Sequence, residues 1–133
     1  MRADQAVSLR IHSGVPIVDV IGEWMPGVAD AVAKLVGNLT DTGHYDIVLN
    51  VTGSFWKGIS PLGPLALLGQ SVRSHCGYID VVGTRDQVNE LIRSSVERVF
   101  RLSVCEETAI GRIKKMPILA AGEGCTARVA DRL

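Results

Sequence analysis

The chain is expected to fold as one α/β domain: a mixed β-sheet with largely parallel core strands and right-handed βα crossovers. Three observations predict this. Residues 17–22 (Ile-Val-Asp-Val-Ile-Gly), 47–51 (Ile-Val-Leu-Asn-Val, with Gly53 close behind) and 78–83 (Tyr-Ile-Asp-Val-Val-Gly) share one shape. Each is β-branched, strand-length and ended by glycine. Amphipathic helical patterns lie between and after these runs, and alternation of that kind implies parallel strands with right-handed crossovers. The 133 residues suit a single domain with a hydrophobic core of its own.

Val7 to Ile11 alternates and can pair with the Ile17 strand across Ser13-Gly14, adding an antiparallel edge. Runs that stay apolar on both faces, as the three central ones do, suit strands covered by helices. Val28, Val32, Leu35, Val36 and Leu39 repeat at helical spacing, with Asp30, Lys34, Asn38 and Asp41 on the wet side and Gly43 to close the helix. A second helix runs from about Pro61 to His75, with Leu65, Leu68 and Val72 as its stripe and Gly77 to end it. Ser60 as N-cap with Pro61 at N1 is one start. Pro64 would then sit where the first intrahelical bond forms, so a start near Gly63 is the other. The third helix has a capping box, Thr84 and Gln87, with Asp86 in its first turn. Val88, Leu91 and Ile92 face inward, and the pattern can run on through Val96 and Val99. Phe100 to Val104 reads as the last strand. Glu106 to Lys115 reads as the last helix, acidic at its start and basic at its end. The order is β-β-α-β-α-β-α-β-α. Residues 1–115 make the domain, and 116–133 form a C-terminal extension, either loose or with one short helix over 126–133.

Composition narrows the function. Apolar residues make up 47% and aromatics 5%, and formal net charge is zero. With no basic excess to neutralise phosphates, nucleic acid is not an expected partner. Residues 1–7 lack the apolar run of a signal peptide, and no stretch reaches the ~20 apolar residues of a membrane span. Cys76, Cys105 and Cys125 contain no CxxC and read as three reduced thiols in a cytoplasmic protein.

No catalytic or cofactor motif stands out, and no cofactor or metal is expected. GxGxxG and GxxxxGK[ST] are both absent, and His12, His44 and His75 are scattered. Asp19, Asn50 and Asp80 are the polar residues inside strands. Sites in open α/β sheets gather beyond the carboxyl ends of the strands, so these three read as hydrogen-bonded strand residues. Trp24-Met25-Pro26-Gly27 is similar to the Met-Pro-Gly turn of response-regulator receivers. The position of their phosphorylated Asp is Gly22 here, which rejects that reading.

The informative stretch is 50–68, Asn-Val-Thr-Gly-Ser-Phe-Trp-Lys-Gly-Ile-Ser-Pro-Leu-Gly-Pro-Leu-Ala-Leu-Leu. It resembles the core of STAS domains, the family of bacterial anti-sigma factor antagonists. There a strand runs into Asp-Leu-Ser-Gly, and Asp-Ser-Ser-Gly-Leu-Gly opens a helix. Asn50-Val51-Thr52-Gly53 matches the first part by chemical type. Ser60, Leu62 and Gly63 match the second Ser, the Leu and the last Gly. Val15 to Glu23, Tyr78 to Gly83, Val96-Glu97-Arg98-Val99-Phe100 and Glu106 to Ile110 extend the likeness, which spans about residues 7–115.

The resemblance implies a non-enzymatic regulatory protein of the cytoplasm. It would bind an anti-sigma factor, often a serine-kinase-like ATPase, through Phe55, Trp56, Lys57, Gly58, Ile59, Ser60 and Leu62. Family antagonists are switched by phosphorylation of the first Ser of the helix-opening motif. Here that position is Ile59, the preceding Asp is Gly58, and the Gly after the second Ser is Pro61. The switch is therefore lost or moved to Ser60, where a phosphate would meet free N–H groups at a helix start. Trp56 is open to two readings, a docking anchor or a cover for the core edge. Two other functions remain. One is a soluble STAS subunit of a stress-signalling or transport complex, with a homo-oligomer within reach. The other is a small ligand-binding domain or enzyme of similar topology.

Overall fold

The structure, a computed structural model, describes residues 6–57, 65–93 and 99–115. Among these residues five strands and four helices follow in order: β1 (Val7–His12), β2 (Val15–Glu23), α1 (Pro26–Asp41), β3 (Asp46–Phe55), α2 (Ala66–Ser74), β4 (Tyr78–Val82), α3 (Arg85–Arg93), β5 (Phe100–Ser103) and α4 (Glu106–Lys115). They form one sheet in the order β1-β2-β3-β4-β5. β1 runs antiparallel to β2, and the other three pairings are parallel. The element order is the one expected from the sequence. Residues 58–64, which hold the expected start of α2, lie outside the described residues. So do 94–98, into which the sequence pattern of α3 can continue, and 116–133, the C-terminal extension.

Local chemistry explains the joints. Ser13 and Gly14 both take positive φ, 54° and 80°, the pairing that a two-residue type I′ hairpin needs. The capping box of α3 forms as expected. The Thr84 amide donates to Gln87 Oε1 at 2.8 Å, and the Gln87 amide to Thr84 Oγ1 at 3.2 Å. Gly77 is required by space, since a Cβ there would lie 1.9 Å from the Tyr45 carbonyl oxygen.

The two faces of the sheet are covered unequally. α1, α2 and α3 pack on one face, where Val28, Val32, Val36, Val72 and Leu91 meet Val18, Leu49, Ile79, Val81 and Phe100. Each such side chain, fully buried, contributes about 1.5–3 kcal/mol. Among the described residues α4 alone packs on the other face, through Ala109, Ile110 and Ile113 against Val15, Ile17, Val48 and Val82.

The polar strand residues lie on this second face and carry its electrostatics. Arg10 of β1 reaches Asp19 of β2 at 2.6 Å and Glu106 of α4 at 2.5 Å. Asn50 donates from Nδ2 to Glu106 at 2.8 Å. Arg10 and this hydrogen bond hold the Glu106 carboxyl below its ordinary range. Asp80 is fully buried and takes two bonds from Arg101, at 2.8 and 2.9 Å. Burial pushes its carboxyl up, and the guanidinium offsets part of that push. Asp19 and Asp80 are each paired with an arginine, as hydrogen-bonded strand residues are.

One expectation is corrected. Cys105 carries a free thiol, but Cys76 is disulfide-bonded, so the three cysteines are not all reduced.

Candidate functional site

β3 is longer than its sequence suggests. It runs through Thr52 and Gly53 to Phe55 because a bulge lets it re-pair with the end of β2. Asp19 stands opposite Asn50 while Ile21 stands opposite Gly53, which puts one extra residue into β3. A bulge leaves an amide without a ladder partner. Asn50 supplies that partner: its Oδ1 accepts from the Thr52 amide at 3.0 Å and from Thr52 Oγ1 at 2.6 Å. An amide side chain is the right one here. It accepts at the bulge and donates to Glu106, whereas a carboxylate would oppose Glu106.

Beyond the bulge, two exits of the sheet are tied together. The Trp24 amide donates to the Phe55 carbonyl at 3.0 Å, and Trp24 Nε1 donates to Ser54 Oγ at 3.0 Å. Ser54 Oγ donates onward to the Val51 carbonyl at 2.7 Å. From the third side comes Gln87. Its Nε2 donates to the carbonyls of Val51 at 2.9 Å and Ser54 at 2.8 Å. Gly83 leaves room for it, since a Cβ there would come within 3.0 Å of Gln87 Oε1. The end of β3 is thus held by the exit of β2 and the first turn of α3.

The expected docking residues divide on this frame. Phe55 is the last residue of β3, not a loop residue, and is 53% exposed. Trp56 is half-buried and packs against the main core, with its Nε1 buried and unpaired. Lys57 is exposed, 3.8 Å from Glu23. Gly58, Ile59, Ser60 and Leu62 lie outside the described residues. Met25, following the tied Trp24, is 54% exposed, and Leu67 in the first turn of α2 is 78% exposed. Ser54 and Gln87 escaped the sequence reading as site residues. Gln87 was legible as a cap, but nothing in the spacing linked it to a strand end thirty-odd residues earlier.

A shallow cleft of about 230 Å³ opens at the opposite end of the sheet, between the Ser13-Gly14 turn and His44, Tyr45 and Asp46. It is smaller than the roughly 300–1,000 Å³ of ordinary ligand pockets. Among the described residues no group of three or more His, Cys, Asp or Glu converges on a point, and no helix is long and apolar enough to cross a membrane.

No family model matches the sequence, and no curated protein matches it. Solved structures do. An anti-sigma factor antagonist from Mycobacterium paratuberculosis is 21% identical with a TM-score of 0.68, over 82% of this chain and 93% of that one. The anti-sigma factor antagonist SpoIIAA in its unphosphorylated form is 14% identical with a TM-score of 0.65, over 83% of this chain and 99% of that one. A candidate anti-sigma factor antagonist from Thermotoga maritima is 17% identical with a TM-score of 0.68, over 86% of this chain and all of that one. Five strands in one order, three crossover helices on one face and a lone final helix on the other are therefore the STAS fold, the fold that these anti-sigma factor antagonists share with this chain.

Proposed function

We propose that the protein is a non-enzymatic regulator that docks onto a partner protein, most specifically an anti-sigma factor antagonist acting in the cytoplasm. One observation carries this reading. Exposed Met25 and Phe55 stand on two strand exits tied to each other. Large apolar side chains are costly to leave in water unless something covers them. The rigid backbone beneath them means that little order is lost when a partner does so. The partner is an anti-sigma factor or serine-kinase-like ATPase. It is met by Phe55 and Lys57, by Gly58, Ile59, Ser60 and Leu62 of the following segment, and by the outer side of α2 at Leu67. With Ile59 in the acceptor position, the phosphorylation switch is degenerate.

The test is retrieval of partners by the full chain and by a Met25→Asp, Phe55→Asp variant. Both side chains are more than half exposed, so the variant is expected to keep its thermal transition. Recovery of an anti-sigma factor or ATPase-fold kinase by the wild type alone is the expected result. Equal recovery by both proteins rules out this surface. Incubation with the recovered kinase and ATP, followed by mapping of the modified residue, decides whether Ser60 is an acceptor.

A further inference from the structure

β1 forms one edge of the sheet, and among the described residues its only strand neighbour is β2. The two-residue hairpin closes on the His12–Val15 pair, so hydrogen-bonded pairs alternate from there: His12 with Val15, Arg10 with Ile17, Ser8 with Asp19. Pro16, which has no N–H to give, falls opposite Ile11 in a pair that does not need one. The backbone groups of Val7, Leu9 and Ile11 therefore point away from β2. Natural edges are guarded by lysine, proline, bulges, inward-pointing charges or a covering element. β1 has no lysine, proline or bulge. Its one inward-pointing charge, Arg10, is already neutralised by Asp19 and Glu106 within the same molecule. Its outer side chains include Leu9, 42% exposed, and Ile11, 60% exposed.

We infer that β1 pairs with the β1 of a second copy of this chain, antiparallel, with Leu9 on the two-fold axis, to make one continuous sheet. The register follows from the outward-pointing residues. A two-fold at Leu9 sets Leu9 against itself and Val7 against Ile11, joining the two apolar rows. On the other face Arg10 lies opposite Ser8 of the second copy. A two-fold at Arg10 would set the two Arg10 side chains directly opposite each other, and like charges so placed are destabilising. A two-fold at Ser8 would leave Ile11 uncovered. The formal net charge of zero adds no long-range repulsion between copies. This interface uses the β1 edge and not the strand exits, so it stands independently of the docking function.

Sedimentation of the full chain across a dilution series tests it, alongside Leu9→Lys. The wild type is expected to show a mass that doubles with concentration. Leu9→Lys brings two ammonium groups together on the axis and is expected to stay monomeric with an unchanged thermal transition. In a Cys105→Ser background, Leu9→Cys is expected to oxidise to a covalent dimer, because residues facing across a hydrogen-bonded pair lie about 5.5 Å apart, within disulfide reach. Ile11→Cys is expected not to, because its two copies are offset by about 13 Å along the strands. A wild type that sediments as a monomer throughout, a dimer that survives Leu9→Lys, or equal cross-linking by the two cysteine variants overturns the proposal.

Discussion

Gln87 donates from Nε2 to the Ser54 carbonyl at 2.8 Å, so a residue that caps the first turn of α3 also holds the end of β3. The same side chain accepts from the Thr84 amide and donates to the Val51 carbonyl. Gln87→Ala removes all three contacts, takes one donor from the Ser54 carbonyl and leaves the Val51 carbonyl with Ser54 Oγ as its remaining side-chain donor, and is expected to cost about 1–3 kcal/mol. Gln87→Glu keeps the cap but sets a carboxylate against two carbonyls, so it is expected to be destabilised too. Urea unfolding of both variants measures the effect, and a Gln87→Glu as stable as wild type would show that the strand contacts carry little.

Two variants separate the charges of the buried Asp80–Arg101 pair from its packing. Arg101→Met strands a carboxylate that is fully buried, at a cost of about 3–5 kcal/mol. Replacing both residues by leucine is expected to recover most of that loss, since neither desolvated charge remains. Loss of Arg101 also leaves the upward push of burial on Asp80 opposed only by Arg112, 3.8 Å away. A carboxyl raised in the folded state favours the fold when protonated. The Arg101→Met variant should therefore be relatively more stable in acid and lose that advantage as pH rises through the raised value.

Glu106 behaves in the opposite sense. Its carboxyl is lowered, chiefly by Arg10, from an ordinary value of 4.5. The stabilisation is present above that ordinary value and is lost as pH falls through the lowered one. The pair is partly exposed, so the effect is expected to be only about 0.5–1 kcal/mol. Chemical denaturation between neutral pH and strong acid should show it in the wild type. Arg10→Ala should flatten that part of the profile while changing stability little at the acid end.

Gly77→Ala tests the tight passage beside Tyr45. A methyl group 1.9 Å from a carbonyl oxygen cannot be accommodated by a side-chain rotation, because the obstacle is backbone. The start of β4 must shift, at a cost of about 1–3 kcal/mol or more. A thermal transition equal to that of the wild type would disprove this account.

Most of the fold was legible because it rests on local patterns. β-branched runs ended by glycine marked β2, β3 and β4. Ser13-Gly14 marked the hairpin, Thr84 and Gln87 marked the start of α3, and the charge gradient from Glu106 to Lys115 marked α4. The end of β3 was not legible. Thr52, Gly53 and Ser54 look like loop residues, and only re-pairing across the bulge makes them strand. The partners of Asn50, Ser54 and Gln87 were hidden for the same reason, since each contact joins residues far apart in sequence. Asp19 and Asp80 stand in strand patterns that call for hydrogen-bonded side chains, and their arginine partners agree. Trp56 could not be assigned from sequence, because a bulky indole beside a strand end serves equally as anchor or as cover. Its packing against the core favours the cover.

The chain has two tryptophans, and both sit where the strands leave the sheet: Trp24 bonded to Ser54, Trp56 with an unpaired ring nitrogen. Intrinsic indole emission is therefore a built-in optical probe of that edge and of no other part of the molecule. A ligand that settles over Phe55 should alter the colour or intensity of the emitted light, while self-pairing along β1 should leave the spectrum as it was.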